Sequence, residues 1–343
     1  VNVALILLAA CASVSEPERA AWRDGAPPPG PDPALAAAGV GSTTESASHA
    51  ADDAVVMRPS ADVVRFVALG DAGMGDRNQY AVADAMTEVC GRVGCDFAIQ
   101  LGDNIYNSGV EAVNDPQFDT KFELPYANVD FDFYPSLGNH DYGAGGAGYE
   151  FWKWEYYVDY SAKSDKWVFP SRYYRVDAGV VELYALDSNA LVFGMIEDQI
   201  TWLDERVPQS TAAWTIAYGH HPYLSNGHHG NAGSYDGYQP NGNDPVGEGA
   251  FVKQAMEAAV CGKIDLYICG HDHNLQWLTE TCEGTEFVVA GSAGKVSSLE
   301  GENDVYYERA GLGFLWVEVS ASELTGVFYD EDGDELYRRT LQR

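Results

Sequence analysis

Residues 269–276 read CGHDHNLQ, with His271 and His273 on either side of an aspartate, directly after the apolar run IDLYIC at 264–269. Alternate side chains of a strand point the same way. A chain leaving that strand in an extended turn therefore aims both imidazoles at one point, an arrangement suited to metal ligation. One H-x-H alone is weak, because a polar turn carries two surface histidines just as readily. Four further segments repeat its form, each with an apolar run, a glycine and a metal-capable side chain. They are LGDAG (Asp71), LGDNIY (Asp103, Tyr106), LGNHD (Asn139, His140) and YGHHP (His220, His221). Asp71, Asp103, Tyr106, Asn139, one histidine of YGHHP, His271 and His273 give seven donors. That is too many for one tetrahedral ion and suits two six-coordinate ions sharing a carboxylate. Two ions about 3.5 Å apart can clamp the attacking and departing oxygens of a phosphoryl displacement.

Such donors need strands that end at one place. The pattern predicts strands at Val63–Leu69, Phe97–Leu101, Phe131–Leu137, Tyr173–Val176, Val180–Leu186, Trp214–Tyr218, Ile264–Cys269, Phe287–Ala290 and Phe314–Val319. Helical spacing marks Arg77–Cys90, Glu197–Arg206 and Gly249–Val260. The order strand, helix, strand around GDAGMGD reads as a βαβ unit. In open α/β sheets, sites form at the carboxyl ends of strands, and glycine there lets the backbone turn sharply and approach a ligand.

The set D-x-G, G-D-x-x-Y, G-N-H-D, G-H-x-P and G-H-x-H resembles the purple acid phosphatases, binuclear enzymes of the calcineurin-like metallophosphoesterase superfamily. The likeness is to the small, tartrate-resistant type. It runs from about Val63 to the C-terminus and includes LGDNIYNSGV, WVFPSRYY and CGHDHNLQ. Gly73 and Tyr106 stand where many superfamily members carry histidine and aspartate, which points to the purple branch. The resemblance implies an α/β fold, a four-layer α/β/β/α sandwich with two mixed sheets. It assigns Asp71, Tyr106 and His273 to a ferric ion, and Asn139, His220 and His271 to a divalent ion (iron, zinc or manganese), with Asp103 bridging. Its G-H-x-P pattern selects His220 over His221. It also gives His140 and His229 roles in holding phosphate or protonating the leaving group, with Asn139 touching substrate. The implied reaction is hydrolysis of small phosphate monoesters by hydroxide on the metal pair. Rivals are a phosphodiesterase or nucleotidase on the same fold, a non-catalytic surface binding protein, and a mainly redox use of the iron pair. The chain is shorter than the small animal enzymes between Asp187 and Glu197, so activation by cleavage of a loop there is not expected. The Gly/Asn-rich stretch 223–248 is long, starts beside His220, and is expected to rim the site.

Lys plus Arg is 20 against 52 for Asp plus Glu, a net charge of −32. Such a surface repels nucleic acid and anionic membranes, so phosphorylated small molecules must be drawn by local cations. VNVALILLAAC at residues 1–11 suits a signal h-region ending in a lipobox-like LAAC, with Cys11 as the lipidated residue. Residues 12–60, rich in Ala, Pro, Ser and Gly, read as a disordered tether, leaving 61–343 as the catalytic domain. The expectation is an exported bacterial lipoprotein whose membrane contact runs through the lipid alone. Cys90 and Cys95 can close a small loop, Cys261 and Cys282 can pair, and Cys269 reads as a buried thiol. The aromatic stretch 149–160 reads as packing and rim residues. DEDGDE at 330–335 lacks the length of a calcium loop and reads as a hairpin turn.

Overall fold

A computed structural model describes residues 54–234, 236–238 and 246–343. The signal segment, Cys11 and the tether up to residue 53 lie outside these. In chain order the first elements are β1 (Val55–Ala61), β2 (Val63–Leu69), α1 (Arg77–Val93), β3 (Phe97–Leu101), β4 (Asp132–Ser136) and α2 (Trp154–Tyr160). Next come β5 (Tyr174–Gly179), β6 (Val181–Ala185), α3 (Ser188–Val192), α4 (Glu197–Arg206) and β7 (Trp214–Tyr218). The short hairpin β8 (Asp236–Tyr238) and β9 (Val246–Glu248) precedes α5 (Gly249–Ala259), β10 (Leu266–Cys269), β11 (Leu275–Leu278) and β12 (Glu286–Ala290). The chain finishes with β13 (Val305–Arg309), β14 (Gly313–Ser320), β15 (Glu323–Asp330) and β16 (Glu335–Gln342).

Two mixed sheets form. One has the order β1-β5-β6-β7-β10-β12-β11-β13 and the other β16-β15-β14-β2-β3-β4. Strands β2, β3 and β4 run parallel, as do β6, β7, β10 and β12. Phe66, Leu69, Ile99, Trp277, Val288, Leu315 and Phe328 share one buried cluster between the sheets. Helix α1 adds Val82, Met86 and Val89 to it from the second sheet's side. On the first sheet's other face, Trp202 and Leu203 of α4 and Val252 and Met256 of α5 pack on Tyr184, Ala217 and Tyr267. This is the expected four-layer α/β/β/α sandwich.

Local chemistry sets the element ends. Asp76 caps α1, its Oδ1 accepting from Asn78 N and Gln79 N at 3.0 and 3.2 Å, as N-cap aspartates do. The helix stops at Gly94, whose φ of 86° suits glycine. One expectation needs correction. The stretch 55–61 does not belong to the tether: β1 pairs parallel with β5 at the edge of the larger sheet, so the folded domain begins before residue 61. Pro59 argues against a strand in sequence, yet an edge strand tolerates proline, and the register breaks between Met57 and Ala61.

Cys90–Cys95 and Cys261–Cys282 are disulfides, and Cys269 is a buried free thiol. The acidic stretch at 330–335 is a hairpin turn between β15 and β16, with Asp330 Oδ1 accepting from the backbone of Asp332 and Asp334. Of the aromatic stretch, Tyr157 and Tyr160 are buried while Trp152 is exposed. Among the described residues, no helix is long and apolar enough to cross a membrane.

Candidate metal centre

The two sheets meet at the carboxyl ends of their central strands. Gly70, after β2, donates its N–H to Ala290 O of β12 at 2.8 Å, and Gly270, after β10, donates to His220 O at 3.1 Å. The three donors that immediately follow a strand-end glycine after β2, β3 and β10 all have left-handed backbones: Asp71 at φ 60°, Asp103 at 52° and His271 at 68°. Non-glycine residues seldom adopt this region, and clusters of them mark functional sites. The adjoining glycines are forced by crowding. A Cβ on Gly102 would meet the His220 ring at 2.5 Å, and one on Gly138 would meet Asp103 Oδ1 at 2.2 Å.

All seven expected donors converge, in two groups. In the first, Tyr106 hydroxyl lies 2.8 Å from Asp71 Oδ1 and 3.1 Å from His273 Nε2, and His273 Nε2 lies 3.3 Å from Asp71 Oδ1. In the second, His220 Nε2 lies 2.9 Å from Asn139 Oδ1 and 3.0 Å from His271 Nδ1. Asp103 stands between them. Its Oδ1 is 3.5 Å from His220 Nε2, and its carboxylate also acts on the Tyr106 hydroxyl. An octahedron with bonds of about 2.1 Å has edges of about 3.0 Å, so the first triad has the spacing of one face of a six-coordinate site, and both separations from His220 in the second match its edges. Ligand atoms of Asp71, Asp103 and His220 all lie within 4.8 Å of one another.

The hydrogen bonds around the donors settle which atoms point inward. His220 Nδ1 is 2.8 Å from Leu101 O; a carbonyl only accepts, so Nδ1 carries the proton and Nε2 faces the centre. Asn139 Nδ2 donates to Gly146 O at 2.6 Å, which turns its Oδ1 inward. His271 N donates to Asp71 Oδ2 at 2.8 Å. The carboxyl of Asp141 accepts from Gly138 N, Asn104 N and Ile105 N and from the Tyr157 hydroxyl, tying the donor-bearing turns after β3 and β4 together.

Electrostatics report a centre built for positive charge. Burial resists ionisation of Asp71, but His220 and His273 outweigh it and hold its pKa below the ordinary value. Burial likewise resists a charged His220, and the carboxylates of Asp103 and Asp71 outweigh it and raise its pKa. Burial, Asp103 and Asp71 push the Tyr106 phenol well above its ordinary value. Burial, with His229, His221 and His220 nearby, drives His271 well below its ordinary value. Burial and Asp103 push Asp141 up to about 7. Converging oxygen and nitrogen atoms that can exchange their protons for a cation fit bound metal, and the donor set fits the iron and divalent ion that the resemblance implies.

His140 and His229 occupy different positions. His140 Nδ1 lies 2.6 Å from Asn107 O, its backbone N–H donates to Asp103 Oδ1 at 2.9 Å, and its ring lies 4.4 Å from that of Tyr106. His140 and His273 keep 20% and 18% of their side chains exposed, so the cleft opens on that side. His229 stacks on His271 with centroids 3.8 Å apart, its backbone N–H held by Asp272 Oδ1 at 3.0 Å. Its neighbour His228 is exposed and faces Glu300. His221 is buried against Ser188. Of the stretch 223–248, His229 reaches a donor of the centre; residues 235 and 239–245 lie outside the described residues. Sequence reasoning missed Asp141, although it lies inside the quoted GNHD. It also missed Lys295, whose Nζ lies 4.2 Å from the Tyr106 ring centroid. Its signal is a sixth apolar strand followed by glycine, FVVA-GSAGK.

Residues 64–275, more than half of the chain, match the model of the calcineurin-like phosphoesterases. The chain is 29% identical over 307 residues to purple acid phosphatase 3 of Arabidopsis thaliana, covering 80% of this chain and 76% of that protein. It is 26% identical over 322 residues to tartrate-resistant acid phosphatase type 5 of Sus scrofa, covering 82% and 87%. Among solved structures, GAP50, the anchor in the inner membrane complex of Plasmodium, superposes with a TM-score of 0.64 at 19% identity, covering 82% of this chain and 89% of that one. The purple acid phosphatase PPD1 of yellow lupin superposes at 0.60 with 16% identity, covering 83% of this chain and 54% of that one. At these identities the two structures speak for the fold alone.

Proposed function

The chain belongs to the calcineurin-like phosphoesterase family, and on that premise we propose that it is an acid phosphatase hydrolysing small phosphate monoesters at a two-metal centre. The observation that carries this reading is the pair of donor triads with Asp103 between them. Asp71, Tyr106 and His273 would hold a ferric ion, since a phenolate and a carboxylate favour a hard cation. Asn139, His220 and His271 would hold the divalent partner, and Asp103 would touch both. Bound there, the pair supplies acidified water and withdraws charge from the phosphoryl group.

The protein's own groups do the rest. With Nδ1 tied to Asn107 O, His140 presents Nε2, which lies 3.9 Å from Asp103 Oδ2, to the centre. Imidazole at that position can serve as the general acid that gives a proton to the departing alkoxide. Asn139 and His140 border the same opening and would contact the ester. His229, stacked behind His271, is better placed to orient that ligand and to meet phosphate at the loop side than to reach the leaving group. Two disulfides support an exported setting, and lipidation of Cys11 completes that part of the proposal.

Metal analysis, a visible spectrum and turnover of a monoester against a diester test the reading together. Two metals per chain, a phenolate-to-iron band and a faster monoester are expected. A faster diester would favour the phosphodiesterase reading, and two metals with no turnover on either ester would favour a non-catalytic role.

A further inference from the structure

Lys295 sits in the loop after β12, half-buried, with its ammonium over the Tyr106 ring. The loop is tied down around it. Ala293 N donates to Gly70 O at 3.1 Å, Asn78 Nδ2 to Gly294 O at 3.4 Å, and Ser297 N to His273 O at 2.8 Å. The stem therefore starts from a fixed backbone that abuts two donor-bearing turns.

Cations are scarce in this chain, which has seven lysines and a net charge of −32. Lys121, Lys153 and Lys166 donate to carbonyl or carboxylate oxygens in part-buried positions, and Lys263 is spent on Asp204 at the surface. Among the described residues, Lys295 Nζ makes no hydrogen bond or ion pair. It lies over the face of Tyr106, 4.2 Å from the ring centroid, and the His140 ring meets the same tyrosine at 4.4 Å. A half-buried ammonium with unused donors, packed on a residue of the candidate centre, is suited to bind phosphate.

We propose that Lys295 binds the substrate's phosphate, donating to a phosphoryl oxygen beside Tyr106 and favouring the dianionic monoester over the singly charged diester. This rests on the phosphatase reading above and adds a specificity residue to it. The second negative charge of a monoester gains more from a nearby cation than a diester does, so the lysine sharpens the choice between them.

Lys295→Met keeps the stem over the ring and removes only the charge. Full-length, metal-loaded protein is assayed with para-nitrophenyl phosphate, bis(para-nitrophenyl) phosphate and inorganic phosphate as inhibitor. The inhibition constant of phosphate and the monoester KM should rise roughly tenfold, with kcat affected less, as for loss of one charge-assisted hydrogen bond. The diester KM should move by less than about threefold, Lys295→Arg should restore most of the loss, and metal content should stay at the wild-type level. Lys295→Gln, which also removes the charge, must show the same loss. Unchanged phosphate inhibition in both neutral variants, or equal losses on the two esters, overturns the proposal while wild-type turnover leaves the phosphatase reading standing. A wild-type protein that binds no phosphate and hydrolyses neither ester overturns both.

Discussion

His220 Nε2 faces Asn139 Oδ1 at 2.9 Å, and the other polar atom of each side chain is already committed, His220 Nδ1 to Leu101 O and Asn139 Nδ2 to Gly146 O. Two inward acceptors this close are reconciled by a proton or by a cation. The carboxylates of Asp103 and Asp71 raise the pKa of His220 against the effect of burial, so the pocket favours positive charge at this position. His271 Nδ1, 3.0 Å from the same nitrogen, completes a triad suited to one ion.

Asn139→Ala should therefore empty one site and spare the other. Elemental analysis is expected to fall from two metals per chain towards one, with turnover down by about 100-fold or more. A variant that keeps both metals would remove Asn139 from the donor set.

Asp103 reaches both triads, lying 3.5 Å from His220 and acting on Tyr106. Its removal also frees His140 N, which it now accepts from at 2.9 Å. Asp103→Ala should lose both metals, or lose activity by about 1000-fold. Wild-type metal content and rate in that variant would reject a shared carboxylate.

Tyr106 tests the identity of the ion in the first triad. Burial and two carboxylates keep its phenol protonated in the absence of metal, so a strongly polarising cation is needed to displace the proton. Tyr106→Phe should abolish the broad visible band while hydrolysis persists at a reduced rate, because Asp71 and His273 remain. A band that survives the change would assign the colour to another group.

Much of this was legible because strand-end chemistry leaves a local mark. Each donor segment joins an apolar run to a glycine, and the ordering of LGDAG, LGDNIY, LGNHD, YGHHP and CGHDH is visible in one dimension. The left-handed backbones of Asp71, Asp103 and His271 are not visible, because the residues' own preferences do not call for them. Strand β1 is hidden by Pro59, and only its partner β5, more than a hundred residues away, explains it. Asp141 looks like one more acid in an acidic chain until the donors around it are seen together. Lysines show the same limit, since nothing near Lys121 or Lys153 in sequence points to the segment after Tyr106, while Lys295 at least follows a strand-end glycine.

Lys153 is the clearest case and gives the last prediction. Its side chain is fully buried, an uncommon state for lysine. Nζ donates to Ser108 O at 2.7 Å and Glu111 Oε1 at 2.6 Å and lies 3.1 Å from Glu150 Oε2. Lys121 Nζ donates to Tyr106 O and His140 Nδ1 to Asn107 O, so three consecutive carbonyls, of residues 106 to 108, are each held by a basic side chain. The segment after Tyr106 has no strand or helix of its own to fix it, and these bonds take that place. Glu111 is mostly exposed and Glu150 partly so, so water can solvate both carboxylates if the lysine is lost; the carbonyl of Ser108 would lose its partner. Lys153→Met should thus cost about 2 kcal/mol of stability, well short of a fully buried pair. It should also loosen Tyr106, shifting or broadening the visible band at unchanged metal content. Denaturant unfolding beside the spectrum separates the two effects. A destabilised variant with an unaltered band would confine Lys153 to the scaffold, and unaltered stability would show that the buried ammonium holds nothing in place.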